Sequence, residues 1–293
     1  MIYEIVHKTS YVYSGPVSHC HSKIWLQPRN LPFQHCLEVM FDIDPLPTVF
    51  YQLSDFYENS VRYFAIQQSH KILVVKVKSK VKLTARENIN ELLKRDKPWE
   101  IVRNTLSQFH KDFVDVYHFK YESQHVVLNK DLFQYASMSF LPGKGLLASV
   151  QNMIGRVYKE FKFVSGHTTI ATPIDIIFNT RKGVCQDFAH LCIGFLRSHG
   201  LAARYVSGYI ETLAPVGKTK LVGTDASHAW ISVYLPGEGW IDFDPTNNLV
   251  PSDQHITLAW GRDFADVSPM KGVVFCTGKQ AMKVEVDVRR VEC

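Results

Sequence analysis

The chain has 293 residues, 46% of them hydrophobic, enough for more than one buried core, and its formal net charge of +5 is spread along the sequence rather than clustered. No run of about 18 apolar residues occurs, which excludes a helical membrane span, and the opening Met1-Ile-Tyr-Glu-Ile-Val-His-Lys8 lacks the charged-then-apolar pattern of a signal peptide. The six cysteines, at 20, 36, 185, 192, 276 and 293, are scattered and form no CxxC pair. That argues against a disulfide framework and for a cytoplasmic setting.

Residues 1 to about 86 read as all-β. Ile2–His7 and Cys36–Ile43 alternate, and two further strand-like runs between Val61 and Leu83 break near Ser69-His70. Prolines 16, 28, 32, 45 and 47 punctuate them, as in a sandwich-type module. Lys76, Lys78, Lys80 and Lys82 alternate with valine and leucine, giving one wet strand face that would also discourage edge pairing. A nucleic-acid partner is not expected from so local a stripe.

From about residue 87 the period changes. Glu91–Phe113 and Gly145–Phe161 carry helical spacing, so the domain change falls near 86–96, with a module over 1–90 and a helical connection plus core over 91–293. Thr172-Pro-Ile-Asp175 reads as a helix start, with Thr172 as cap and Pro173 in the first turn. A second helix is expected from Cys185 to His199, stopped by Gly200, with Phe188, Leu191, Cys192, Phe195 and Leu196 as its buried stripe. Strands are then expected at Ala203–Glu211, His228–Leu235, Trp240–Asp244, Ile256–Trp260, Val273–Phe275 and Met282–Val291.

Three residues in distinct contexts carry the chemistry. Cys185 follows Arg181-Lys-Gly-Val184 at a helix start. Free backbone N–H groups there favour a thiolate, and could hold the oxyanion formed when it attacks a carbonyl. Asp187 in the first turn opposes this. His228 opens a strand on the same face as Trp230, Ser232 and Tyr234, read as the more polar side. Asp244 closes the next strand and could hold the His228 Nδ1–H, with Asp242 as the fallback.

The turn between these strands decides whether that is possible. In antiparallel pairing the partner numbers sum to a constant. Leu235 paired with Trp240 would put Asp244 on the face opposite His228, whereas Leu235 paired with Gly239 puts it across from Trp230, one diagonal step from His228. The triad therefore requires an odd loop, most simply three residues with Gly239 in a bulge. Cys192 reads as core. A zinc set from Cys185, His190, Cys192 and His228 fails, because 185 and 190 are about 500° apart around a helix. His19-Cys20-His21 alternates faces in a strand and reads as ordinary.

Arg181–Leu191, Ala203–Tyr209, Asp225-Ala-Ser-His-Ala-Trp230 and Gly239–Asn247 together resemble the transglutaminase-like superfamily of papain-like thiol enzymes. Gly261–Pro269 and Tyr11–Pro16 extend the likeness to bacterial members with an N-terminal β module. The resemblance implies Cys185 as nucleophile, His228 as base and Asp244 as orienter, all unsubstituted. It leaves the second oxyanion donor unplaced and offers no counterpart to the calcium sites of the animal enzymes.

The expected fold is α+β: a β-sandwich module, then a papain-like core with helices on an antiparallel sheet. The expected function is thioester-forming acyl transfer on an amide bond of a peptide or protein, favouring hydrolysis over cross-linking. Transglutaminase-type amine transfer and a non-catalytic peptide-binding module are the alternatives. No cofactor, metal, nucleic acid or membrane partner is expected, and the oligomeric state is left open.

Overall fold

The computed structural model describes residues 1–211 and 227–291. Five strands come first: β1 (Ile2–Ile24), β2 (Gln34–Asp44), β3 (Val49–Ser54), β4 (Ser60–Ile66) and β5 (His70–Leu83). The alternation that predicts β1 persists well past His7, to Ile24, and β3 carries too little of it to be recognised. In β5, Lys78 and Lys82 are exposed as expected. However, β5 lies between β1 and β2, so its lysines coat a face rather than guard an edge.

Helices follow: α1 (Ile89–Leu93), α2 (Trp99–Ser107), α3 (Val114–Tyr117), α4 (Lys130–Ser137) and α5 (Leu146–Glu160). The helical run expected over 91–113 is cut before α2, where Pro98 stands in the N-cap position. Two short parallel strands, β6 (Lys162–Phe163) and β7 (Lys182–Gly183), flank α6 (Ile174–Thr180). Pro173 is the N-cap of α6. The Thr172 hydroxyl instead accepts from the Thr169 amide, and the helix ends on Arg181 in the left-handed region.

α7 (Cys185–Ser198) starts where the sequence predicts and is buried from Asp187 through Arg197. It is wrapped rather than merely amphipathic, because β8 and β9 pack against it as do α4, α5 and α6. The core sheet is β8 (Ala203–Ile210), β9 (Ser227–Leu235), β10 (Gly239–Phe243) and β11 (His255–Gly261), in the order β10-β9-β8-β11. After the short α8 (Phe264–Val267), β12 (Met270–Cys276) and β13 (Gln280–Val291) return to pair with β1.

That return changes the expected organisation. The sequence reading ran the core from 91 to 293, but the strand-rich unit draws on both ends of the chain. In its first half β1 lies between β5 and β13, in its second between β4 and β12, so hydrogen bonding makes one sheet of two halves sharing β1. Long-range pairing of this kind leaves no local signal.

The two units are joined at an edge. β11 is the outer strand of the core sheet, and such an edge presents unpaired peptide groups. Two fully buried side-chain amides from the strand-rich unit satisfy it by imitating a peptide. Gln34 Oε1 accepts from Thr257 N and its Nε2 donates to Thr257 O, both at 2.8 Å. Asn59 Oδ1 accepts from Trp260 N at 3.0 Å and its Nδ2 donates to Trp260 O at 2.8 Å.

Replacing Asn59 with an apolar isostere strands the Trp260 amide and carbonyl, and replacing Gln34 strands the Thr257 amide and the Arg29 carbonyl, Thr257 O keeping its bond from Arg29 N, at about 1–3 kcal/mol each. Gln34→Met and Asn59→Leu should each lower stability by roughly 2–5 kcal/mol in urea denaturation. A loss below about 0.5 kcal/mol for both, the size of an ordinary surface substitution, would show that the edge is not held by these contacts.

Candidate active site

Gly183 and Asp187 set the start of α7. Asp187 Oδ2 accepts from Val184 N at 2.8 Å and from the Thr168 hydroxyl at 2.6 Å. A Cβ on Gly183 would lie 2.7 Å from that oxygen, so the close approach requires glycine. Burial raises the Asp187 carboxyl and the bonds to Thr168 and Val184 lower it, with a net rise. The Val184 amide and the Thr168 hydroxyl take up its charge at Oδ2. Cys185, the first residue of the helix, is half-buried, and among the described residues its amide and that of Gln186 make no backbone hydrogen bond.

The decisive register is the one the triad requires. Gly239 pairs with Leu235 and Phe243 with Ile231. The loop is Pro236–Glu238, with positive φ at Gly237 (97°) and Gly239 (86°). Asp244 then follows β10 on the diagonal from His228, and His228 Nε2 lies 2.7 Å from Asp244 Oδ2. Two expectations need correction. The bonded nitrogen is Nε2, not Nδ1, which leaves Nδ1 for the thiol. And His228 is not on a wet face: Trp230 and Ser232 are fully buried, because β9 is covered on both sides.

Asp244 is itself fully buried and surrounded by donors. Oδ1 accepts from the amides of Thr246 (2.9 Å) and Asn247 (3.2 Å), the turn made by Asp244-Pro-Thr-Asn247. Oδ2 is shared by His228, by Asn247 Nδ2 at 2.8 Å and by His255 Nε2 at 3.0 Å. Burial alone would raise this carboxyl; the hydrogen bonds from the two imidazoles and the charge on His228 reverse it and hold it well below the usual carboxylate range. With Asp244 ionised, His228 and His255 both present Nε2–H to it.

Burial works against charge on His228, but the Asp244 bond, the Cys185 side chain as hydrogen-bond partner and the charges of both outweigh it and raise the imidazole to about 10. The balance runs the other way at His255, where burial dominates and the value falls. One carboxylate thus faces a charged imidazole and a neutral one. Asp242, the fallback orienter, is engaged elsewhere: its Oδ2 pairs with Arg86 and accepts from Trp230 Nε1.

Other sequence-level candidates resolve as core. Cys192 is fully buried, and the His190 Nε2 accepts from the Phe264 amide. His21 bonds the Tyr63 hydroxyl while Cys20 is buried. The ligand atoms of His228, Asp244 and His255 lie within 4.8 Å of one another, but their 2.7 and 3.0 Å separations are those of hydrogen bonds, and a metal would have to part them. Asp225 and Ala226 of the His228 motif, and Cys293, lie outside the described residues. His255 escapes sequence reasoning because nothing local distinguishes a histidine opening a strand. Asn247 lies inside a recognised motif but gains its role only from the turn.

A raised His228 stabilises the folded state through its proton. That contribution is complete below the unfolded value of about 6.5 and is lost as pH rises towards about 10. The stability advantage of the protein over His228→Gln should therefore shrink across that window when both are unfolded in urea at successive pH values. A gap independent of pH would mean that folding does not hold the imidazole charged.

Comparison with known proteins agrees with this architecture. Residues 3–82 match the bacterial transglutaminase-like N-terminal region and residues 142–245 the transglutaminase-like superfamily core. An uncharacterised protein of Mycobacterium tuberculosis is 34% identical over 298 residues, covering 98% of this chain and 92% of its own length. A protein-glutamine gamma-glutamyltransferase of Pseudomonas aeruginosa is 38% identical over 78 residues, 26% of this chain and 12% of that protein. A solved Cytophaga hutchinsonii structure, named as a candidate cysteine protease, superposes with a TM-score of 0.75 at 21% identity, over 100% of this chain and 92% of its own, and so shares the fold. No helix among the described residues is long and apolar enough to cross a membrane. The chain belongs to the transglutaminase-like superfamily, with the bacterial transglutaminase-like region at its N-terminus.

Proposed function

We propose that the protein is a cysteine acyl-transfer enzyme acting on amide bonds, with Cys185 as nucleophile, His228 as proton carrier and Asp244 as orienter. The observation that carries this reading is the 2.7 Å bond from His228 Nε2 to a carboxylate with no exposure to solvent, on an imidazole whose other side meets the helix-initial thiol. That pairing stores the thiol proton on the ring and leaves a thiolate.

In the proposed cycle the Cys185 thiolate adds to the amide carbonyl and the free first-turn amides of α7 receive the oxyanion. The C–N bond breaks as His228 gives its proton to the departing amine, leaving a thioester. Water, deprotonated by His228, attacks the thioester, releases a carboxylic acid and regenerates the thiol. An amine in place of water gives a new amide. We favour hydrolysis of a peptide or protein amide, because water reaches a half-buried thiol unless the substrate excludes it. The local likeness to a glutamine gamma-glutamyltransferase supports amine transfer as the second reading. A cytoplasmic setting completes the proposal, in keeping with five free cysteines among the described residues.

Iodoacetamide labelling followed against pH, with peptide mapping, tests the triad. Cys185 should label faster than the other described cysteines, and His228→Ala should abolish that advantage. Labelling with the profile of a free thiol would favour a binding module. With a reactive thiol established, release of ammonia from glutamine peptides with and without a fluorescent primary amine separates hydrolysis from amine transfer.

Asp244→Ala should reduce turnover by roughly 10²–10⁴-fold, as expected for loss of acid–base function. Undiminished turnover in a folded variant would remove Asp244 from the mechanism.

A further inference from the structure

We propose that the cavity between the strand-rich unit and the core sheet binds a small carboxylate with a flat or apolar body, and that Arg204 receives the carboxylate. The cavity has a volume of about 450 Å³, within the range of small-molecule sites. Its walls come from two segments of the strand-rich side, Leu31–Phe33 and Thr84–Glu87, and from core residues that include Arg204, Trp240 and Trp260. Neither Cys185 nor His228 lines it, so it is not the nucleophile's cleft.

Arg204 is 8% exposed, yet among the described residues its side chain makes no hydrogen bond or ion pair, and its Nε has no partner. A guanidinium carries five donors, and leaving them unmet in a buried position is costly. Its position is nonetheless fixed. The guanidinium carbon lies 3.7 Å from the Trp260 ring centroid and 4.4 Å from that of Trp240. Arg29 lies 3.6 Å from the same Trp260 centroid, so the two guanidinium groups must sandwich that indole. Stacking of this kind orients the fork without using its donors. What remains is a fixed guanidinium beside an open volume, its Nε buried and without a partner.

The charges around it choose the ligand. Burial presses against the Arg204 charge, Asp242 favours it, and Arg29 and Arg86 oppose it. Within the cavity Arg86 already pairs with Asp242, whose Oδ2 also accepts from Trp230, and Arg86 stacks at 3.9 Å on Phe33. Glu87 and Glu238 at the wall are held by Arg95. At the inner wall Arg204 and Arg86 against Asp242 leave one positive charge, while Arg95 between Glu87 and Glu238 leaves one negative charge at the half-exposed rim. A monoanion neutralises the inner positive charge, whereas a dianionic phosphate overfills it beside Asp242. A carboxylate also matches the guanidinium fork with two parallel bonds, and Leu31, Leu92 and Val250 at the wall suit an apolar body.

The test is isothermal titration of the full chain with N-acetylphenylalanine and benzoate, each against its neutral amide, and with inorganic phosphate. The carboxylates should bind at least about tenfold more tightly than the amides, a difference of about 1.4 kcal/mol. The Arg204→Gln variant should lose that preference, and the Cys185→Ser variant should keep it, which separates this site from the proposed catalytic one. Should Arg204→Gln fail to fold, Arg86→Gln at the cavity wall should still weaken carboxylate binding. Binding of Ala-Ala-Phe with a free terminus as tight as that of N-acetylphenylalanine would assign the carboxylate to a peptide end; binding of the small acid alone would assign it to a free metabolite-sized acid. Equal binding of acids and amides, tighter binding of phosphate, or unchanged binding in folded Arg204→Gln would overturn the proposal.

Discussion

The buried carboxylate of Asp244 is the constraint on which the rest of the site depends. It is fully shielded from water and accepts from two backbone amides, one side-chain amide and two imidazoles. An ion in that position is tolerated only because every lone pair is used. Its consequences spread outwards. It fixes the His228 ring plane, leaves Nδ1 towards the thiol and raises the imidazole. It also gives His255 a hydrogen bond while leaving that ring neutral, so the carboxylate is steered from a second side without added positive charge.

The scaffold supplies the two distances this arrangement needs. α7 is buried along most of its length, so its first residue cannot drift relative to the sheet. The β9–β10 turn sets the diagonal that brings Asp244 to His228. The outer strand β11, which supplies His255, is held by Gln34 and Asn59 acting as peptide mimics from the other unit. The strand-rich unit therefore completes the edge next to the site, and β12 and β13 tie it to the C-terminal end of the chain. Separating the two units would expose that edge and free His255.

Much of this was legible in residue order. Hydrophobic period placed α5, α7 and the four core strands within a residue or two, because each buries a regular face. Glycines in the 236–239 turn and the parity of strand pairing together placed Asp244 beside His228. What was not legible has two physical origins. The pairing of β12 and β13 with β1 and the seat of Gln34 at Thr257 join residues far apart in sequence, whereas β3 buries no alternate face and His255 meets Asp244 across a connection that carries no pattern. The exposure of His228 was misread because strand alternation reports one covered face, whereas β9 has two. The nitrogen facing Asp244 depends on ring rotation, which no sequence pattern encodes.

The central claim is that Asp244 holds His228 charged while His255 stays neutral. Following the imidazole ¹⁵N resonances of both rings against pH in the full chain tests it directly. The account predicts that His228 keeps both ring protons well above pH 8 and loses one near 10, while His255 remains a single Nε2–H tautomer across the neutral range. A His228 that titrates near 6.5, as a free imidazole does, or a His255 that carries the charge instead, would contradict it.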